Sequence, residues 1–448
     1  MADHIQYNLE ERYEFTPKLR KQLLMVIGIG LLLLVAGAVF LALDTGGGHH
    51  GGGEHHGGGH HEGGGGGEEH GYNWMTRIWA NFWLNGIFFT EIAVMGVLFL
   101  AIQYLAKAGW SASFLRIPTA FGNFLPFTGG VLLIVFLFAN HDLFHWTHSS
   151  LYDKAGEEYD SIIANKAPFF FWPFESGSFP VFWLARFVLY FVLWYWLYTL
   201  IKKQHLAEDN IENRLNVKHY DKATVYSAIF IVIFAVTSST SAWDWVMSID
   251  THWFSTMFGW YMFASGWVSG LAVITLAVIY LKEQGYLKMV NENHLHDLGK
   301  FMFAFSIFWT YIWFSQFLLI YYANMAEETI YFYERLYGYD GIYSPMLVLN
   351  LIINFVFPFL FLMTRDAKRK AIFLKVAAWG ILIGHYLDFF VMIMPGTVKE
   401  NGGFFLVEIG TLLMFIGGFV LVFANTLSKY GLIPKNHPML EESLHHSI

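Results

Sequence analysis

The chain has 448 residues, of which 55% are hydrophobic, 19% aromatic and only 14% charged, with a mean hydropathy of +0.42. Soluble domains carry about a quarter charged residues, so this chain cannot clothe a water-facing globule, and a bilayer is its natural solvent. It has no cysteine and a formal charge of −8, which excludes disulfides, thiolate-bound zinc, iron–sulfur clusters, covalently attached c-type haem and thiol nucleophiles within the chain, and argues against nucleic-acid binding.

A bilayer core of ~30 Å needs about 20 mostly apolar residues per helix. In chain order ten such runs occur, at 22–43, 82–105, 122–140, 180–201, 223–243, 255–281, 301–323, 345–363, 371–394 and 403–425. They predict an all-α, polytopic integral membrane protein. The first run is long, begins beyond residue 20 and lacks a small-residue cleavage site, so it reads as a retained span. Pro126 and Pro358 interrupt the third and eighth runs. Both are tolerable in a membrane, where neighbouring helices satisfy the freed backbone groups.

The segments between runs alternate in charge. Of the 27 Lys and Arg, all but Arg77, Lys154, Lys166, Arg186, Arg335 and Lys399 fall on the side that holds both termini. The positive-inside rule then predicts cytoplasmic termini, and an even number of spans preserves the alternation. The resulting division is a terminal segment 1–21, a first span 22–43, a loop 44–75, a section 76–222 with its last helix at 223–243, a section 244–394, a last span within 395–425 and a tail 426–448.

The loop between the first two spans is a His/Gly tract. Glycine so dense has nothing apolar to bury and predicts disorder. His49, His50, His55, His56, His60, His61 and His70 offer imidazoles for weak metal capture, against the plainer reading of an insertion tolerated where it costs little. Nothing in the tract has the fixed spacing of a catalytic metal site.

Ionisable groups at membrane depth are costly and are functional candidates by default. Here they are Glu91, Arg186, His385, Asp388 and Glu408. By helical rise, Glu91, Arg186 and Glu408 lie roughly 8–14 Å from the outer helix ends, and His385 and Asp388 also fall in an outer half. His385 and Asp388, spaced i, i+3, share one helix face and suit a proton relay, since a carboxylate stabilises an imidazolium. Asp244 follows the hydroxyl run Thr237, Ser238, Ser239, Thr240 and Ser241, which could carry a water chain or simply bind helices together. An architectural Arg–Glu pair is the competing reading for the buried charges. Beyond the third span, His141, His145 and His148, at i, i+4 and i+7, would share a helix face if the span continues, with Asp142 the neighbouring carboxylate and His141, Asp142 and His145 the quinone-binding candidates. They offer the acceptors that a quinol site wants. Only His385 is well inside a span, so paired-histidine haem ligation is not expected.

Several segments carry a family likeness: WDWVMSIDTHW at 243–253, NENHLHDLGK at 291–300, WTYIWFSQ at 309–316, RDAKR at 365–369 and GHYLD at 384–388. Over residues 75–430 the chain resembles the second of the two NrfD-like (polysulfide-reductase-like) membrane subunits of bacterial alternative complex III. The resemblance implies two adjacent four-helix bundles, spans 2–5 and 6–9, with spans 1 and 10 outside. It also implies a non-catalytic-alone subunit of a quinol:cytochrome c oxidoreductase in the cell inner membrane. Partners would include a second NrfD-like subunit, an iron–sulfur subunit and c-type cytochromes, sometimes with a terminal oxidase. Haem c and iron–sulfur clusters would sit on those partners, leaving quinone or quinol as the group this chain could touch. The readings that stay open are a proton-conducting half-channel, a direct quinol site, a proton-coupled transporter and a structural anchor.

Overall fold

The computed structural model describes residues 8–46, 73–211 and 216–447. The His/Gly tract, with His49, His50, His55, His56, His60, His61 and His70, lies outside them. Ten of the described helices are long and apolar enough to cross a membrane. We label them α1 (Pro17–Gly46), α2 (Trp74–Leu105), α3 (Arg116–Leu143), α4 (Val181–Ala207), α5 (Lys218–Trp245), α6 (Phe258–Glu283), α7 (Glu292–Tyr322), α8 (Ser344–Phe361), α9 (Ala371–Val398) and α10 (Leu406–Leu427). No strand occurs among the described residues; one isolated bridge joins Arg12 to Gly431. The ten predicted runs are all present, most extended by polar turns that hydropathy alone does not register.

Helices α2–α5 pack in a ring of four, α3 and α5 against α2 and α4 between them, and α6–α9 form a second ring. The rings meet where α2 lies against α6 and α9, and α5 against α6. This makes α2 the axis of the molecule: its apolar window is 94% buried, against 22% for α1 and 28% for α5. A helix buried on every side needs small residues wherever a neighbour crosses closely. Helices α1 and α10 pair with each other outside the rings and rest on α2. Their crossing is so tight that a Cβ on Gly30 would stand 2.7 Å from the Gly410 carbonyl oxygen. Close backbone approach of this kind is how helices associate where lipid offers no hydrophobic drive.

Both described chain ends lie on one face, which we call the terminal face. Leu432 N–H donates to the Glu11 carbonyl at 2.8 Å. From there the tail crosses the ends of both rings. Asn436 donates to the Ile211 carbonyl at 2.8 Å, Ser443 Oγ to the Trp110 carbonyl at 2.8 Å, and His446 pairs with Asp297 at 2.6 Å. Midway, His437 is buried against the rings of Tyr104 and Tyr220. Burial, with the Arg116 guanidinium nearby, pushes its imidazole down to about 3. Docked His437 is therefore neutral, while a released tail would titrate near the ordinary value of ~6.5. The docking contribution is complete above that value and is lost as pH falls from it toward about 3, at most ~tenfold per pH unit. Amide protection across 436–440, taken relative to the intrinsic exchange rate at each pH, should fall between pH 7 and 5, and a His437→Phe variant should flatten that dependence.

Candidate functional site

The buried ionisable groups fall into separate arrays, most of them on the half away from the chain termini, the distal half. In the first array, Arg77 in the opening turn of α2 meets Glu408 in the opening turn of α10, Nε to Oε1 at 2.8 Å and Nη2 to Oε2 at 3.1 Å. Asn81, one turn along α2, donates to Glu408 Oε1 at 3.0 Å, and Glu408 Oε2 accepts the Phe405 N–H at 2.8 Å, capping α10. Both charged side chains are buried. Every oxygen of the carboxylate is thus spoken for, and the pair fastens α10 to the axis.

The second array is Arg186 on α4 with Asp244 on α5. The guanidinium is bidentate, Nε to Oδ2 at 2.9 Å and Nη2 to Oδ1 at 2.7 Å, and Tyr190 donates to Oδ2 at 2.9 Å. Phe169 and Phe182 cover the guanidinium at 4.1 and 4.6 Å. The hydroxyls of the run leading to Asp244 are bonded along their own helix. Thr237, Ser239 and Thr240 donate back to carbonyls four residues earlier, and Ser238 and Ser241 to those three earlier, the ordinary way a hydroxyl is satisfied in a helix.

A third pair lies on the distal loops. Arg335, on a short helix Ile330–Leu336, is fully buried and donates to Asp250 Oδ2 at 2.8 Å. Its Nε takes the Val391 carbonyl at 2.9 Å. Pro395 lies four residues beyond Val391 in α9 and has no N–H to offer that carbonyl, so the arginine occupies the acceptor that the proline leaves open.

The remaining array is different in kind. Asp388, fully buried in α9, has no arginine or lysine partner among the described residues. Its oxygens accept from four neutral donors on three other helices. Tyr261 on α6 and Asn350 on α8 donate to Oδ1, the latter at 2.7 Å. Ser265 on α6 and Trp309 on α7 donate to Oδ2 at 2.5 and 2.9 Å. Asn354 donates in turn to Asn350. Asn350 lies just before a π-helical turn, Ile352–Val356, and Asn354 within it, just ahead of Pro358; such turns recur at functional sites. Beside this centre stands His385, also fully buried, with Nδ1 3.8 Å from Asp388 Oδ2 and its ring edge-on to Trp309. Neither ring nitrogen has a hydrogen-bond partner among the described residues. A buried ring nitrogen left without a partner costs about 1–3 kcal/mol.

Glu91 stands apart at mid-axis. No hydrogen bond or ion pair reaches its carboxylate among the described residues, and Gly266 of α6 supplies the room, since a Cβ there would stand 2.6 Å from Oε2. The five residues singled out by depth therefore do not form one cluster. Arg186 and Glu408 belong to closed ion pairs, Asp388 and His385 to the second ring, and Glu91 to the axis.

The histidine stretch departs from expectation. Helix α3 ends at Leu143 and is already non-helical at Ala139, and His145 lies in a 3-10 turn, so His141, His145 and His148 do not share a helix face. They still gather: the His148 ring stands 5.5 Å from that of His141 and 5.6 Å from that of His145. His141 Nδ1 meets the Thr147 hydroxyl at 3.1 Å, and no hydrogen bond links Asp142 to either histidine among the described residues. Burial, followed by the charges of His148, His252 and Lys399, lowers the His145 value. A neighbouring pair, His252 with Asp160 at 2.5 Å, completes the patch. Among the described residues no group of three or more His, Asp or Glu has the geometry to hold a metal ion.

Depth along each helix was enough to single out Asp388 and Glu408, but not their partners. Arg77 counted as loop charge because its helix begins before the hydropathic run, and Tyr261, Ser265, Trp309 and Asn350 carry no charge to flag them. Asparagines at an i, i+4 spacing around a proline-broken span were the available signal. Scanned against models of known protein families the chain matches none, and a search of curated proteins returns no significant match.

Proposed function

We propose that this chain is a membrane subunit of a quinol-oxidising respiratory complex, akin to the NrfD-like subunits of alternative complex III, and that Asp388 with His385 is its proton-carrying centre. The carrying observation is the fully buried Asp388 carboxylate held by four neutral donors, with an unpartnered imidazole 3.8 Å away. The other buried carboxylates with guanidinium partners, Glu408 and Asp244, are locked by arginine and have no free valence to trade. Asp388 can gain a proton at the cost of turning one donor aside, and a slight shift or a single water joins it to His385.

On this reading the basic terminal face is cytoplasmic, the membrane is the bacterial inner membrane, and the centre opens toward the periplasmic side. Electron carriers, haem c and iron–sulfur clusters, reside on partner subunits, as fits a chain without cysteine. Isolation from native membranes tests the assignment. The subunit should co-purify with haem-bearing partners and a visible absorption spectrum, whereas isolation as a colourless single chain would favour a transporter.

A second reading places quinol at the distal histidine patch, favoured by the convergence of His141, His145 and His148. It predicts that His141→Ala raises the KM for quinol in the purified complex. Wild-type kinetics in that variant would remove the patch from the reaction.

A further inference from the structure

A groove of about 650 Å³ runs along the outside of the molecule where α6, α9 and α10 flank α2. Phe88, Phe89 and Ile92 of α2 are among its lining residues, with Ala277, Leu382 and Ile416 from the flanking helices. Trp379 and Ile383, both 55% exposed, stand at its opening, so the groove faces the lipid. Its polar end lies at the terminal face. There Lys375 of α9 and Glu283 of α6 pair at 2.7 Å, both partly exposed, beside Tyr13 and Tyr280.

Length and rim charge select the occupant. Along α9 the lining runs from Lys375 to Leu387, about 18 Å at helical rise, slightly more than the ~15 Å of one leaflet's hydrocarbon. A single acyl chain of one leaflet spans that length. The rim offers one cation and one anion side by side, which complements a headgroup that itself carries both signs.

We propose that the groove is a phospholipid site. One acyl chain from the leaflet on the terminal face lies between α6, α9 and α10, and an ammonium–phosphate headgroup exchanges with the rim pair, phosphate on Lys375 and ammonium on Glu283. The bound chain completes the contact between the α1–α10 pair and the second ring, so α10 is held by lipid at this end and by Arg77–Glu408 at the other. The site is independent of the proton centre.

The test uses the full chain in its native assembly, in vesicles containing phosphatidylethanolamine with a photoreactive acyl-chain end, followed by peptide mapping. Cross-links should fall on the peptides holding Ala277 and Leu382. Labelling there should drop about tenfold or more when Ala277→Phe or Leu382→Trp fills the groove, and should weaken when phosphatidylglycerol carries the probe or when Lys375 and Glu283 are both replaced by Ala. Labelling at Val232 and Val236, exposed on α5, is the control for fold and general lipid contact and should not change. Equal labelling by both lipids, unmoved by either filling variant, would mean annular lipid only and overturn the proposal. Displacement of the probe by sub-stoichiometric isoprenoid quinone would also overturn it, by giving the groove to a different occupant.

Discussion

If the proposed function holds, replacing Asp388 by Asn is expected to leave quinol oxidation by the purified complex close to its wild-type rate while proton translocation into reconstituted vesicles collapses. The side chain keeps its shape and loses its exchangeable proton. A positioned acid–base group contributes ~10²–10⁴-fold to a proton transfer, and a loss of that order takes the step below turnover. Structural damage should be modest. Each Asp388 oxygen accepts from one hydroxyl and one N–H, Tyr261 with Asn350 and Ser265 with Trp309. A hydroxyl can reverse to accept from the new amide, whereas the N–H opposite it cannot, so one buried donor is stranded at about 1–3 kcal/mol. Asp388→Ala removes the acceptor of all four, leaving Trp309 only the Ser265 hydroxyl at 2.9 Å, and should unfold the second ring at a lower temperature than Asn does. His385→Gln should resemble Asp388→Asn in its coupling defect. Unchanged proton-to-electron stoichiometry in both variants would falsify the assignment of this pair, whatever their stability.

The second large effect belongs to architecture. Arg77→Leu or Glu408→Leu alone should destabilise the helical core by about 3–5 kcal/mol, because each leaves one buried charge without its partner. Replacing both with Met should recover most of that loss, since buried ion pairs exchanged for packed apolar groups are often neutral or better. Thermal unfolding of the two single variants and the double variant closes the cycle. The double variant should also keep proton translocation, which separates this pair from Asp388. A double variant that is stable yet uncoupled would move Glu408 from scaffold to pathway.

The class of the molecule was legible from composition. With 14% charged residues, ten apolar runs and alternating loop charge, an all-helical, ten-span protein was the reading the physics allowed, and depth along each run placed Glu91, Arg186, His385, Asp388 and Glu408. What hydropathy misjudged were helix ends. Helix α2 starts at Trp74 rather than near residue 82, because its first turns carry Arg77 and Asn81, whose polarity is hidden by Glu408. Sequence spacing misjudged the histidines because it assumed that the third span continues, whereas α3 ends at Leu143.

Sequence by itself determined the number of spans, the all-helical class and the positions of Glu91, Arg186, His385, Asp388 and Glu408 along their helices, because hydropathy and helical rise are local properties. Only the tertiary structure decided which of those residues are spent on arginine and which remain open. Glu408 meets Arg77 across 331 residues and Asp244 meets Arg186 across 58, contacts set by helix rotation and crossing rather than by neighbours in the chain. The setting of Asp388 depends on α6, α7 and α8 turning Tyr261, Ser265, Trp309 and Asn350 toward one point. No periodicity within one segment encodes the rotation of three others.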